Sequence, residues 1–296
     1  SVRHWLDGGD GTTAIVFNLN HKDEALQSLF HQRNFRIAMS HAIDRNAIRE
    51  AAFLGVGESR QISPPPISAY HVPEHAYGYL KYDPVLANRL LDEIGLVKRD
   101  KRGMRLRSDG SPLVLNIETS STMLGAGKMF EMIAANWRDV GINAKVKMQA
   151  RQLYAQRRNA LLCDVLVWGG SGEIVPTLDP RWFLPYSNSS FHGLDYARWY
   201  RSGGKNGTEP PPDMLRALDL FGQIERTVNE EEQIRLFREI IEINRKNLWV
   251  IGTVGAIPQL FIVKDTFRNV PEIAVSCWPL RTPGATAPES YAIDEG

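Results

Sequence analysis

Residues 14–54, AIVFNLNHKDEALQSLFHQRNFRIAMSHAIDRNAIREAAFL, hold the pattern that decides the fold. Ile15, Val16 and Phe17 are β-branched or aromatic and close on Asn18, Leu19 and Asn20, as a short strand does on leaving an apolar interior. Phe35, Ala38, Met39, Ala42 and Ile43 then recur at helical spacing. An unbroken helix would next bring Asn46, Arg49 and Glu50 onto that face. The apolar stripe restarts instead at Ala47, Ile48, Ala51 and Ala52, with Asp44 at the break. A carboxylate there can accept a backbone N–H and cap a second helix. The predicted order is strand, loop, helix, kink, helix.

Downstream, Asp83 and Pro84 open a further helix and Gly95 closes it, with Leu86, Leu90, Leu91 and Ile94 on its inner face. Residues 59–79, which include Pro64, Pro65 and Pro66, are expected to be non-helical. A β-α-β unit follows. Leu113, Leu115 and Ile117 alternate with Val114, Asn116 and Glu118, and Phe130, Ile133, Ala134, Trp137 and Val140 line a helix closed by Gly141. Ile142, Ala144, Val146 and Met148 then alternate with Asn143, Lys145, Lys147 and Gln149, so this strand is wet on one face, as at a sheet margin. A right-handed crossover is expected.

Residues 151–160 read as a short basic helix and residues 164–168 as a buried strand running into Gly169, Gly170, Ser171 and Gly172. Aromatics crowd the irregular stretch beyond it: Trp182, Phe183, Tyr186, Phe191, Tyr196, Trp199 and Tyr200. They fit two readings, anchors for long loops or a surface that binds something. Two helices come next, the second capped by Asn229 with Glu232 three residues on. Strands are expected near residues 249–254 and 259–263. Residues 1–13 read as an extended lead-in, and the tail from residue 266 is polar.

Composition narrows the function. The chain has 296 residues, 43% hydrophobic and 23% charged, the make-up of a soluble globular protein. A formal net charge of +1 argues against a nucleic-acid partner. The basic run at residues 98–102 is interrupted by Asp100 and followed by Gly103, which fits a solvated turn. Residues 248–263 are apolar but contain Pro258 and Gln259, and fall short of the roughly 20 residues a membrane-spanning helix needs. Residues 1–11 show no signal-peptide pattern. Cys163 and Cys277 fit either a disulfide or two buried thiols. His71 and His75 are separated by Pro73, which breaks the helix that would align them as metal ligands, so no metal site and no cofactor is expected.

Catalytic motifs fail on inspection. Gly169-Gly170-Ser171-Gly172-Glu173 has Glu173 where a nucleophile elbow needs glycine, and no helical pattern follows. Gly125-Ala126-Gly127-Lys128 is followed by Met129 rather than Ser or Thr and lacks P-loop spacing. Gly8-Gly9-Asp10-Gly11 has no predicted strand before it, so it is not expected to be a dinucleotide fingerprint. Glu173 and Asp179 could pair as a glycosidase would require, but loop carboxylates are more often solvated or turn-forming.

The stretch around Arg33-Asn34-Phe35-Arg36 and residues 38–45 (AMSHAIDR), behind a strand ending in Phe17-Asn18, resembles the family 5 extracellular solute-binding proteins. These are the oligopeptide- and dipeptide-type binding components of ABC importers. The helix from Tyr82-Asp83-Pro84 and the helix ending Trp137-x-x-x-Gly141-Ile142 extend the resemblance, which covers most of the chain. It implies an α/β fold, a periplasmic-binding-protein-like class II lobe with a mixed sheet flanked by helices, one lobe nearly complete. Full-length members carry a long N-terminal part, so residues 1–20 are expected to be a hinge-adjacent remnant of an N-terminal lobe. Residues 21–265 would be the C-terminal ligand-binding lobe, and residues 266–296 a return segment or tail.

The resemblance further implies a monomer outside the cytoplasmic membrane that hands a peptide or other small solute to permease subunits, with no nucleic-acid partner and no catalysis. A ligand-sensing or chaperone-like lobe is the alternative, and a hydrolase the third reading. In oligopeptide-binding members the strand ends in Trp-x-x-Asp-Tyr, and the aspartate pairs with the ligand's α-ammonium group. Aligned on Trp168, Ser171 takes the aspartate's place and Gly172 the tyrosine's. The expected ligand-binding residues are Trp168, Gly169, Gly170, Ser171, Glu173, Asp179, Trp182 and Trp199, with a ligand not anchored by a free amine at Ser171.

Overall fold

The computed structural model describes residues 1–8, 11–170, 173–277 and 279–294. Strand β1 (Val2–Asp7) precedes β2 (Thr13–Phe17). Helices α1 (Glu24–His31), α2 (Arg33–His41) and α3 (Arg45–Phe53) follow, then β3 (Glu58–Ser59), α4 (Pro73–Ala76) and α5 (Pro84–Glu93). The β-α-β unit is β4 (Val114–Ser120), α6 (Gly127–Asp139) and β5 (Asn143–Gln149). Helix α7 (Arg151–Asn159) leads into β6 (Val165–Gly169). Helices α8 (Leu194–Arg201), α9 (Pro212–Ile224) and α10 (Glu230–Asn247) precede β7 (Val250–Gly252), β8 (Val254–Gly255) and β9 (Gln259–Ile262). Short strands β10 (Phe267–Arg268), β11 (Val275–Ser276) and β12 (Ala292–Ile293) follow.

A mixed sheet in the order β5-β4-β6-β2-β7 organises the chain. Strand β4 runs parallel to β5 and β6, and β2 runs antiparallel to β6 and β7. Every residue of β2 is buried. That is why its sequence is an unbroken apolar run: both faces of the strand are covered. Ile15 and Phe17 face one core, where Phe17 packs its ring 5.2 Å from Phe30, 5.1 Å from Phe35 and 5.8 Å from Trp137. Ala14 and Val16 face the other core, with Leu166, Phe183 and Phe237. The chain is therefore helix, sheet, helix in section, with α2 and α6 on one side and α9 and α10 on the other. Strand β5 is the sheet edge, and its exposed Lys145 and Lys147 discourage a further strand from pairing there.

The helix–kink–helix stretch forms as its sequence indicates. Phe35, Ala38, Met39, Ala42 and Ile43 are all fully buried, and the Asp44 carboxylate accepts from the Ala47 N–H at 3.0 Å. Asp83 and Asn229 cap α5 and α10 in the same way. Beyond the kink the buried face differs from the expected apolar stripe. Ala47 is exposed, and α3 buries Arg45 beside Ile48. The Arg45 guanidinium donates to the Gly252 carbonyl at 2.8 and 3.0 Å, to the Ser40 carbonyl at 2.9 Å and to the Leu80 carbonyl at 3.3 Å. One side chain thus ties the kink to β7 and to the lead-in of α5. The predicted loop after β2 holds α1, capped by Asp23, with Leu26, Leu29 and Phe30 buried at helical spacing. Pro73 starts α4 rather than breaking a helix, as proline can at a first helical position. His71 and His75 each turn a ring nitrogen to a backbone carbonyl, of Pro64 and of Ile62.

The first residues are not merely a lead-in. Strand β1 pairs antiparallel with β9 and parallel with β11 in a second sheet. Residues 1–20 are thus split, with β1 in the small sheet and β2 inside the large one. Val2, Leu6, Leu260 and Ile262 are exposed on this small sheet. Cys163 and Cys277 are both buried, and Cys163 is a free thiol, so the two do not pair with each other. Among the described residues no helix is long and apolar enough to cross a membrane.

Candidate functional site

The carboxyl end of β6 is where the sheet opens. In open α/β sheets such strand ends are the usual place for a ligand. Backbone bonds hold the chain on both sides of the opening: Gly170 N–H donates to the Thr12 carbonyl at 2.8 Å and Ile174 N–H to the Gly8 carbonyl at 3.0 Å. The Ser68 hydroxyl adds a bond to the Ile174 carbonyl at 2.6 Å. Ser171 and Gly172 lie outside the described residues, so the substitution of serine for the family's aspartate has no structural account.

A cavity of about 460 Å³ lies here, lined by Arg151, Trp168, Glu173, Arg181, Trp182 and Ser189, with Gly169 beside them. A smaller one of about 230 Å³ adjoins it and reaches Tyr154, Arg158 and Phe191. The floor is aromatic. The Trp168 ring lies 5.8 Å from Tyr154 at an interplanar angle of 11° and 5.9 Å from Phe191 at 26°. Phe191 stacks in turn on Trp182 at 5.2 Å and 13°. Gly170 is what lets Trp182 sit so close to the strand end, since a Cβ there would fall 2.2 Å from the indole.

Helix α7 brings the cationic wall. Arg151, Tyr154 and Arg158 recur at three- and four-residue spacing and so share a face. Tyr154 donates to the Val167 carbonyl at 3.0 Å. Arg157, on another face, reaches buried Glu118 on β4 with bonds of 2.7 and 2.9 Å, and that carboxylate holds the Arg157 pKa above its ordinary value. Gln149 completes the Glu118 shell at 2.6 Å. The helix is thereby fixed to the sheet, and its other face is presented to the cavity.

The Arg151 guanidinium lies 5.7 Å from the centre of the Trp168 ring, and that of Arg158 4.9 Å from Phe191. Arg181 is bonded to Asp179, with Nε donating at 2.6 Å. Burial works against the Arg181 cation, yet the Asp179 hydrogen bond and the charges of Asp179 and Glu173 hold its pKa above the ordinary value. Glu173 is buried at φ 60°, in the left-handed region.

The structure brings together Trp168, Gly169, Gly170, Glu173 and Trp182. Asp179 is absent from the cavity lining and acts behind it as the partner of Arg181. Trp199 is elsewhere. It lines a separate groove of about 450 Å³ between α8 and α9, with Tyr200, Leu215 and Leu218. The crowded aromatics divide accordingly: Phe183 and Tyr196 are core anchors, whereas Trp182 and Phe191 also line the cavities. The sequence reading missed Arg151, Tyr154, Arg158, Arg181, Ser189 and Phe191. The i, i+3, i+7 spacing of Arg151, Tyr154 and Arg158 was the signal available for three of them.

A helix–sheet–helix α/β fold thus carries an aromatic, arginine-edged opening at the end of β6. Residues 4–193 match the family described as bacterial extracellular solute-binding proteins, family 5 Middle, and the chain belongs to that family. The dipeptide-binding protein of Escherichia coli strain K12 is 29% identical over 249 residues, 79% of this chain and 42% of that protein. A probable ABC transporter-binding protein of Deinococcus radiodurans is 25% identical over 178 residues, 56% of this chain and 29% of that protein. Among solved structures, an oligopeptide-binding protein OppA superposes with a TM-score of 0.83 at 33% identity, over the whole of this chain and 48% of the other. The chain thus spans less than half the length of these relatives. The mixed α/β architecture is that of the periplasmic-binding-protein-like structures.

Proposed function

We propose that this chain supplies one wall of a solute-binding cleft in a substrate-binding component of an ABC importer. The observation that carries the reading is the aromatic-floored cavity at the end of β6 in a chain of this family. Trp168 and Trp182 offer flat apolar faces, Arg151 and Glu173 polar ones, and the arrangement asks for no covalent step. A second lobe would close over the ligand and exclude water, so that the closed state binds it better than the open one. The small sheet of β1, β9 and β11, with exposed Val2, Leu6, Leu260 and Ile262, is the natural junction to that lobe. On this reading residues 1–20 and 266–296 contribute to the junction, and residues 21–265 hold most of the ligand-binding lobe. The protein works outside the cytoplasmic membrane as a monomer and delivers its solute to permease subunits.

With one wall alone, affinity should be weak, in the millimolar range in order of magnitude. The test is to titrate the 296-residue chain singly with di- and tripeptides, oligosaccharides and N-acetylated amino acids, with NMR detection. At least one probe should bind saturably, lose binding in Trp168→Ala and be recovered unchanged. Steady conversion of a probe to product would overturn the reading.

A further inference from the structure

Arginine is the residue that is out of balance at this opening. Three guanidiniums face it, from Arg151, Arg158 and Arg181. Two nearby carboxylates act on one of them. Asp179 bonds Arg181 directly and Glu173 acts on it through space. Among the described residues Arg158 bonds only to the Asn159 side chain and the Asn188 carbonyl, at 3.2 and 3.0 Å. Burial holds the Arg158 pKa below its ordinary value against the opposing influence of Tyr154 and Cys163, and repulsion from Arg181 adds the smallest contribution. Arg151 is exposed, and among the described residues its guanidinium meets the Trp168 ring and no carboxylate. Both guanidiniums lie over rings of one stack, a placement that suits a guanidinium better than an ammonium group.

Such a wall is complementary to an anion. A planar carboxylate can accept two parallel N–H bonds from a guanidinium, and a charge-assisted bond of that kind is about twice as strong as a neutral one. The stacked rings ask in addition for a flat apolar face beside the acid group. An ammonium group would be repelled by the same two cations, while Glu173, which also lines the opening, has its charge set against that of Arg181.

We propose that the opening at the end of β6 takes a ligand that carries a carboxylate beside a flat or cyclic apolar body, with Arg151 and Arg158 receiving the carboxylate and Trp168 the apolar face. This deepens the proposed function and rests on it. It reverses the charge preference that the Trp-x-x-Asp-Tyr resemblance implies for the same strand end.

The test uses three probes that share one ring: N-acetyl-L-phenylalanine, its neutral amide, and L-phenylalaninamide, which is cationic. Each is titrated into the 296-residue chain and into Arg151→Gln, Arg158→Gln and the double variant, with the indole N–H signals followed by NMR. The acetylated acid should bind at least about tenfold more tightly than its amide, which corresponds to about 1.4 kcal/mol. The preference should collapse in the double variant while unchanged indole dispersion confirms its fold. Arg151→Lys, which keeps the charge and loses the fork, should retain part of it. Equal binding of all three probes at Trp168, or strongest binding of the cationic one, would overturn the inference and leave the site standing. No saturable shift at Trp168 with any probe would remove the site itself and the inference with it.

Discussion

Acid should destabilise this fold mainly through two fully enclosed imidazoles, with a smaller contribution from His31, whose pKa burial also holds down, and one substitution should remove nearly half of the effect. His75 is enclosed beside α10, and burial holds its pKa down at about 4, against a bond to the Ile62 carbonyl that favours the cation. His192 is fully buried, stacks on Trp249 at 6.2 Å and 2°, and has its pKa held down at about 3 by burial and by Arg36. In the unfolded chain both would titrate near 6.5. A depressed folded-state pKa means that the unfolded chain binds protons first, so stability is full above pH 6.5 and falls as pH drops below it. Each imidazole costs about 2 kcal/mol on going from pH 7.5 to pH 5, about 4 kcal/mol together. The depressed carboxylates Asp23 and Asp164 act mainly below that window, because their unfolded-state pKa lies near 4. His192→Phe keeps a ring against Trp249 and removes one titration. The assay is urea unfolding by circular dichroism at closely spaced pH values from 7.5 to 5. The wild-type loss should be about 4 kcal/mol and that of the variant about 2. A wild-type chain losing less than about 1 kcal/mol over this range, or a variant with an unchanged slope, would refute the reasoning.

Arg45→Met should lower stability by about 3 kcal/mol, because the carbonyls of Gly252, Ser40 and Leu80 lose their donor in the core; urea unfolding at pH 7.5 measures it, and a change under about 1 kcal/mol would show that Arg45 does not hold the kink. Glu118→Gln should cost about 2 kcal/mol and weaken probe binding as well, since Arg157 and with it the Arg151 face of α7 lose their anchor. Unfolding and the NMR titration read the two effects separately, and binding retained at full strength would contradict the anchoring role. Gly170→Ala should displace the Trp182 indole, visible as a shifted indole N–H signal, and destabilise by about 1–3 kcal/mol. An unmoved indole would contradict the packing described at the strand end.

The parts of the fold that the chain declares are those with local periodicity. Burial of β2 on both faces demands a continuous apolar run, and the stripe of α2 and the caps Asp44, Asp83 and Asn229 each leave a signature within a few residues. Helix α1 carried the same signature in Asp23, Leu26, Leu29 and Phe30, but it is short, and Gln27, Ser28 and the flanking histidines dilute the pattern. Arg45 is the instructive failure. Its charge makes it look like a surface residue, and what buries it is a set of carbonyls from β7 and the loop before α5, far off in sequence. Strand β1 was illegible for a similar reason, because its partners come more than 250 residues later.

The candidate site was half legible. A strand ending in tryptophan and glycines announces an opening, and Trp182 belongs to it. Trp199 resembles Trp182 in composition and setting, yet α8 carries it to a different groove. The arginine wall is set by how α7 docks on β4 through Arg157 and Glu118, a pairing across 39 positions that no local pattern marks.

The claim at the centre is that solute binds at the end of β6. With the seven tryptophans labelled at their indole nitrogens, and Trp168, Trp182 and Trp199 assigned through single Phe substitutions, N-acetyl-L-phenylalanine is added to roughly 20 mM. The Trp168 and Trp182 signals should move together and saturate while Trp199 stays in place. Saturation at Trp199 with Trp168 and Trp182 unmoved would contradict the claim.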